Sequence, residues 1–142
     1  MNTHVLIVDD EISFLETITK RLTKREFVVA SANSGKKAIE TLEANNSIEV
    51  VILDVKMPGM DGIDTLVEIK NKFPLVEVIM LTGHATVETA IEGMKLGAFD
   101  YLMKPCDIDV LVSKTNEACS KKRKQENKIT EARIKQITGR QA

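Results

Sequence analysis

Five short apolar runs, each followed by a polar or charged residue, constrain this chain more than any other feature. They are Val5–Val8, Phe27–Ala32, Val50–Leu53, Val78–Leu81 and Phe99–Met103. β-Branched residues and Leu dominate them. Near-continuous apolarity over four or five residues suits strands buried on both faces, as in a parallel sheet. Segments of helical period fill the gaps. Leu15, Ile18 and Leu22 share one helical face, and Ala38, Ile39 and Leu42 share the next, with Ser34 placed as its N-cap. Leu66, Ile69 and Phe73 mark a third. Val87, Ala90, Ile91 and Met94 mark a fourth, which Gly97 would close. Ile108, Leu111, Val112, Thr115 and Cys119 mark a fifth. The order is (βα)5. Such alternation predicts an α/β protein: a doubly wound, five-stranded parallel sheet with helices on both faces. Ligands then belong at the carboxyl ends of the strands.

The 142 residues suit one domain. No apolar run reaches the roughly 18 residues of a membrane span, so no membrane partner is expected. No basic segment precedes Val5–Val8 and no small-residue cleavage site follows, unlike a secretory signal. Cys106 and Cys119 make no disulfide framework and lack zinc-ligand spacing, which fits a reducing cytoplasm. Charge is asymmetric. Residues 113–142 carry nine Lys/Arg against three Glu, a net of +6, and the remainder carries eleven against eighteen acids, a net of −7. Composition shifts near residue 120, dividing a body of residues 1–122 from a basic tail of residues 123–142. The tail reads as a C-terminal helical extension of the fifth helix or as a frayed end, with Gly139 ending any helix there. Lys121–Lys122–Arg123–Lys124 reads as a solvated helix end. Nucleic-acid binding is disfavoured, because no aromatics interleave with those cations and no helix-turn-helix is present. Ile129, Ile134 and Ile137, at spacings of five and three, make a poor stripe for docking on a partner or a second copy.

The chemistry gathers at the strand ends. Asp9, Asp10 and Glu11 follow the first run, Asp54 the third, Thr82–Gly83 the fourth and Lys104–Pro105 the fifth. Taken singly, each has an ordinary structural role: a helix cap for Asp9–Asp10, a turn for Asp54, a solvated lysine for Lys104, a cap hydroxyl for Thr82. Together they converge on one edge of the sheet. Carboxylates sharing a cleft repel by about 4 kcal/mol per pair at 4 Å and an effective dielectric near 20. A cation among them relieves this. Oxygen-only ligands select a hard ion such as Mg²⁺. A central carboxylate with a divalent cation, an ammonium and a hydroxyl around it is equipped to accept a phosphoryl group.

These residues carry a family resemblance. Val8–Asp9–Asp10–Glu11, Leu53–Asp54–Val55–Lys56–Met57–Pro58–Gly59–Met60–Asp61–Gly62, Leu81–Thr82–Gly83 and Asp100–Tyr101–Leu102–Met103–Lys104–Pro105 resemble, in order and spacing, the receiver domain of a two-component response regulator. The resemblance covers residues 4 to about 120. The stretch Leu81–Pro105 is similar to receivers of sigma-54-dependent regulators. The implied fold is flavodoxin-like.

The resemblance implies roles by position. Asp54 is the expected phospho-acceptor, taking its phosphoryl group from a sensor histidine kinase. Asp10, Asp54 and the backbone carbonyl of Lys56 are the expected Mg²⁺ ligands, with Asp9 holding a metal-bound water. Lys104 is expected to pair with phosphoryl oxygens and Thr82 to move onto one of them. Tyr101 matches the aromatic that changes position with Thr82, and Lys104–Pro105 is expected to be cis. Lys56 and His84, each two residues beyond a site residue, are expected to tune the lifetime of the phosphorylated state. Gly83 leaves the approach open. The output face is expected on the fourth helix, fifth strand and fifth helix, acting on an effector protein or output domain, with room for a phosphorylation-dependent homodimer. The chain is thus expected to be a signalling module, not a turnover enzyme, although it promotes its own phosphorylation and dephosphorylation. The rivals are a degenerate, constitutive interaction module and a Mg²⁺-dependent aspartyl-phosphate phosphohydrolase. The latter would need a second Asp two residues after the nucleophile, where Lys56 stands. An FMN-binding role is opposed by Asp9–Asp10–Glu11, which repel phosphate.

Overall fold

A computed structural model describes residues 2–55, 61–83 and 86–141. The elements alternate throughout: β1 (His4–Val8), α1 (Ile12–Lys24), β2 (Val28–Ala32), α2 (Gly35–Ala44), β3 (Val50–Leu53), α3 (Gly62–Lys72), β4 (Glu77–Thr82), α4 (Val87–Lys95), β5 (Asp100–Met103) and α5 (Ile108–Gln141). The strands form one parallel sheet in the order β2-β1-β3-β4-β5. In a doubly wound sheet of this order the chain reverses direction between β1 and β3, which opens a crevice at their carboxyl ends.

Period-two alternation sorts each strand onto two cores. Leu6, Val8, Val51, Leu53, Val78 and Met80 meet Ala38, Ile39 and Leu42 of α2 and Leu66 and Ile69 of α3. Val5, Ile7, Val50, Ile52, Ile79 and Leu81 meet Leu15, Ile18 and Leu22 of α1 and Leu111, Ala118 and Cys119 of α5. β1, β3 and β4 are accordingly buried, apart from half-buried His4 at the start of β1. β2 and β5 are edge strands and only partly covered, so burial on both faces does not hold for them. Ser34 caps α2 as expected, its hydroxyl accepting from the Lys37 amide at 3.2 Å. Gly97 follows α4 with φ +106°, a left-handed conformation that glycine adopts freely.

Three further expectations need correction. First, the apolar residues of α4 do not face a core. Val87 is 76% exposed, and Ile91 and Met94 are about half exposed. α4 lies on the sheet through Gly93, where a Cβ would come within 2.7 Å of Met80 Sδ. Second, Gly139 does not end the last helix. α5 continues through it to Gln141 as a single 34-residue helix, about 50 Å long at 1.5 Å per residue. Glycine weakens a helix by only about 1 kcal/mol, so it does not impose a stop.

Third, the basic cluster is not simply a solvated end. Arg123 donates to buried Glu49 through both Nε (2.7 Å to Oε2) and Nη2 (3.0 Å to Oε1). Lys121 Nζ lies 3.1 Å from Oε2 of buried Glu77, whose Oε1 accepts from Lys70 at 3.1 Å. Lys122 pairs with Glu126 at 2.6 Å. Glu49 immediately precedes β3 and Glu77 opens β4. Burial alone would push the Glu49 carboxyl up. Hydrogen bonds from Arg123, the Cys119 thiol and the His4 amide outweigh it and hold the carboxyl below the ordinary range. The Arg123–Glu49 and Lys121–Glu77 pairs moor α5 to the amino ends of β3 and β4.

Candidate functional site

The sheet's last hydrogen bonds place the site residues. The Asp9 amide donates to Ala32 O (3.1 Å), the Asp54 amide to Val8 O (3.0 Å) and the Lys104 amide to Thr82 O (2.9 Å). Asp9 and Asp54 therefore stand at the ends of neighbouring strands β1 and β3, at the crevice where strand order reverses. Carboxylate oxygens of Asp9, Asp10 and Asp54 all lie within 4.8 Å of one another. Asp9 and Asp54 are buried and Asp10 is exposed.

Each carboxylate is held differently. Asp9 Oδ1 accepts from the Glu11 amide at 2.9 Å, and its Oδ2 takes a hydrogen bond and ion pair from Lys104 Nζ. Burial pushes the Asp9 carboxyl above its ordinary range, with a further push from Asp54. Lys104 and the Glu11 amide oppose that shift without cancelling it. Asp54 Oδ1 is buried with no hydrogen-bond partner among the described residues. A buried carboxylate oxygen in that condition is costly, and a bound cation would satisfy it. The donor set is all oxygen and one ligand is open to solvent. It fits a hard divalent ion such as Mg²⁺, which Asp9, Asp10 and Asp54 would hold.

Gly62 makes this geometry possible. α3 begins hard against the backbone of Asp54 and Val55, with the Gly62 amide donating to Val55 O at 2.7 Å. A Cβ there would lie 2.1 Å from Asp54 O and 2.5 Å from Val55 Cα, both backbone atoms. Asp61 caps the helix by accepting from the Asp64 amide at 2.9 Å. Among the described residues, nothing lies within 4 Å of where a Cβ on Gly83 would stand. Thr82 is fully buried at the end of β4.

Tyr101, on β5, is half-buried against the α2/α3 core. Its hydroxyl is 3.1 Å from Thr89 Oγ1 of α4. Thr89 also forms a reciprocal capping box with Thr86. Tyr101 is thereby tied to the helix that follows the Thr82 loop. The Lys104–Pro105 bond is cis, as expected. Lys56 (its carbonyl and its side chain), Met57–Met60 and His84 lie outside the described residues.

The structure unites Asp9, Asp10, Asp54 and Lys104, and it places Thr82 and Tyr101 on the adjoining strands. Sequence reasoning missed Glu49, Glu77 and Thr89. Glu49 and Glu77 each stand immediately beside a run of apolar strand residues, the one signal that could have marked them.

A parallel 2-1-3-4-5 sheet with an acidic, cation-ready crevice at its reversal point defines the class: a flavodoxin-like α/β protein with its ligand site at the strands' carboxyl ends. Comparison with known proteins then narrows it. The family model for the response regulator receiver domain matches residues 5–116, and the chain belongs to that family. It is 42% identical over 117 residues to the transcriptional regulatory protein ZraR of Escherichia coli K12, covering 82% of this chain and 26% of that protein. It is 35% identical over 116 residues to the DNA-binding transcriptional regulator NtrC of the same organism, covering 82% of this chain and 24% of that one. The chain thus spans about a quarter of the length of these curated relatives. Among solved structures, a response regulator receiver domain protein from Clostridium thermocellum superposes with a TM-score of 0.82 at 40% identity, covering 85% of this chain and 97% of that one.

Proposed function

We propose that this receiver domain is switched by phosphorylation of Asp54. The observation that carries the reading is the buried Oδ1 of Asp54, without a hydrogen-bond partner among the described residues, in a carboxylate set within 4.8 Å of those of Asp9 and Asp10. The Asp54 carboxylate is the nucleophile, through the oxygen that the cation leaves free. It attacks the phosphorus of a kinase phosphohistidine, the new O–P bond forms as the N–P bond breaks, and the imidazole leaves with the electron pair and takes up a proton. Mg²⁺ held by Asp9, Asp10, Asp54 and the Lys56 carbonyl would neutralise charge on the transferring oxygens. Lys104 moves from Asp9 toward those oxygens, and Thr82 donates to another through its hydroxyl. Phosphorylation replaces the single charge of the Asp54 carboxylate by the roughly −2 of an acyl phosphate, a gain of about one negative charge at the β1/β3 crevice, which draws both groups inward.

The change then reaches the α4–β5–α5 face. Val87, Ile91, Met94, Met103 and Val110 expose apolar side chains there. The Thr89–Tyr101 bond joins α4 to β5 and gives the switch a defined resting arrangement. A histidine kinase is the phosphoryl donor, and an effector protein or output domain reads the exposed face. The chain acts stoichiometrically in this role, with Lys56 and His84 setting the lifetime of the acyl phosphate.

Intact-mass spectrometry after incubation with Mg²⁺ and acetyl phosphate tests the assignment. Wild type is expected to gain the mass of one phosphoryl group and Asp54→Asn none. A gain of equal size in both would reassign the acceptor.

A further inference from the structure

Among the described residues, two groups hold the Lys104 ammonium. One is the Asp9 carboxylate. The other is an aromatic ring: Lys104 Nζ sits 3.9 Å from the centroid of Phe14, in the first turn of α1. The lysine side chain is only 16% exposed, so the ring and the carboxylate together replace most of its hydration. An ammonium this close to an aromatic face is drawn to the negative lobe of the ring quadrupole.

We propose that Phe14 is a positioning residue that holds the Lys104 ammonium at the threshold of Asp54. The proposal rests on the phospho-acceptor reading above and extends it. Lysine carries a flexible four-carbon stem, and its ammonium is strongly hydrated. Left to itself, it would sample solvent above the crevice. The Phe14 ring blocks that side. The Asp9 carboxylate fixes the other, and it lies within 4.8 Å of the Asp54 carboxylate. The ammonium is therefore kept about one carboxylate's width from the oxygen that receives the phosphoryl group. Only a short displacement brings it onto the transferring oxygens, so part of the orientational cost is met before the donor arrives. The β1–α1 junction accounts for the placement. α1 begins two residues after Asp10, so its third residue, Phe14, is carried back over the site.

The test is a double-mutant cycle on the rate of phosphorylation by acetyl phosphate, read by intact mass. Phe14→Leu keeps an apolar side chain and removes the ring. It is expected to slow the wild-type rate about three- to tenfold, the range for a partly desolvated cation–π contact. Phe14→Tyr keeps the ring face and is expected to restore the rate. In a Lys104→Met background, Phe14→Leu is expected to change nothing further, because the two residues act as one unit. Independently of any phosphorylation, the Lys104 ε-methylene protons are expected upfield in the NMR spectrum of the wild type and at ordinary positions in Phe14→Leu. A Phe14→Leu effect of equal size with and without Lys104 would show a merely structural role and overturn the proposal, as would unshifted ε-protons in the wild type. No phosphorylation of the wild type would instead remove the acceptor reading itself, and the positioning role with it.

Discussion

Arg123→Ala tests what the basic cluster does. In the native protein the guanidinium grips both oxygens of Glu49, at 2.7 and 3.0 Å. Truncation leaves Glu49, 7% exposed, with the Cys119 thiol at 3.3 Å and a long 3.4 Å contact from the His4 amide. Removing one partner of a fully buried pair costs about 3–5 kcal/mol. The Arg123 side chain is 35% exposed, so solvent screens part of that, and about 2 kcal/mol is expected. At this chain length that corresponds to a drop in Tm of about 6–8 °C. Urea denaturation followed by circular dichroism measures it directly. The pH dependence has a defined sign. Glu49 is held below the ordinary carboxylate range, so the pair's contribution is present above the unfolded value of about 4.3 and is lost as pH falls through the depressed folded value. The gap between wild type and Arg123→Ala should therefore narrow in acid. Glu49→Gln should remove most of the Arg123→Ala effect in the double variant. A cost below about 0.5 kcal/mol at neutral pH, the usual range for surface changes, would refute the mooring. A gap that widens in acid would do so as well.

Three further outcomes are expected. Gly62→Ala should cost at least about 1–3 kcal/mol in urea denaturation and slow phosphoryl uptake, because its Cβ meets backbone at 2.1 Å; Gly93→Ala, which meets only the Met80 thioether at 2.7 Å, should stay within about 1 kcal/mol. Asp54→Asn should raise stability in Mg²⁺-free buffer by about 1–2 kcal/mol, since it relieves carboxylate repulsion in the crevice; because Asp9 is held above its ordinary range, the advantage should fade as pH drops below that raised value, and Mg²⁺ should stabilise wild type more than the variant. Thr89→Val should cost about 1 kcal/mol through the lost cap and should change the emission of Tyr101, which is readable directly because the chain has one tyrosine and no tryptophan; unchanged emission would place the Tyr101 hydroxyl elsewhere.

Much of the site is legible in the sequence. Asp9, Asp10, Asp54, Thr82 and Lys104 each follow an apolar run, and in a parallel sheet every such position falls on the same edge. Periodicity placed all five strands to within two residues. It misjudged α4, because a helical stripe shows that apolar residues share a face and does not show what covers that face. Val87, Ile91 and Met94 do share one, and it is largely open. The Lys121–Lys124 run reads as solvated for a related reason. Its partners, Glu49 and Glu77, lie more than forty residues away in sequence.

The one-dimensional pattern determines which segments become strands and helices, because hydrophobic burial at period 2 or 3.6 is a local property of the chain. It also determines which residue types reach the carboxyl edge. Only the tertiary structure decides who meets whom. The 2-1-3-4-5 order sets β1 beside β3 and so brings Asp9 and Asp10 to Asp54. The packing of α1 and α5 on one face sets Phe14 over Lys104 and Arg123 on Glu49. Such pairings depend on strand order and on helix position over the sheet. Both are settled when distant surfaces are buried together, which no local window of sequence contains.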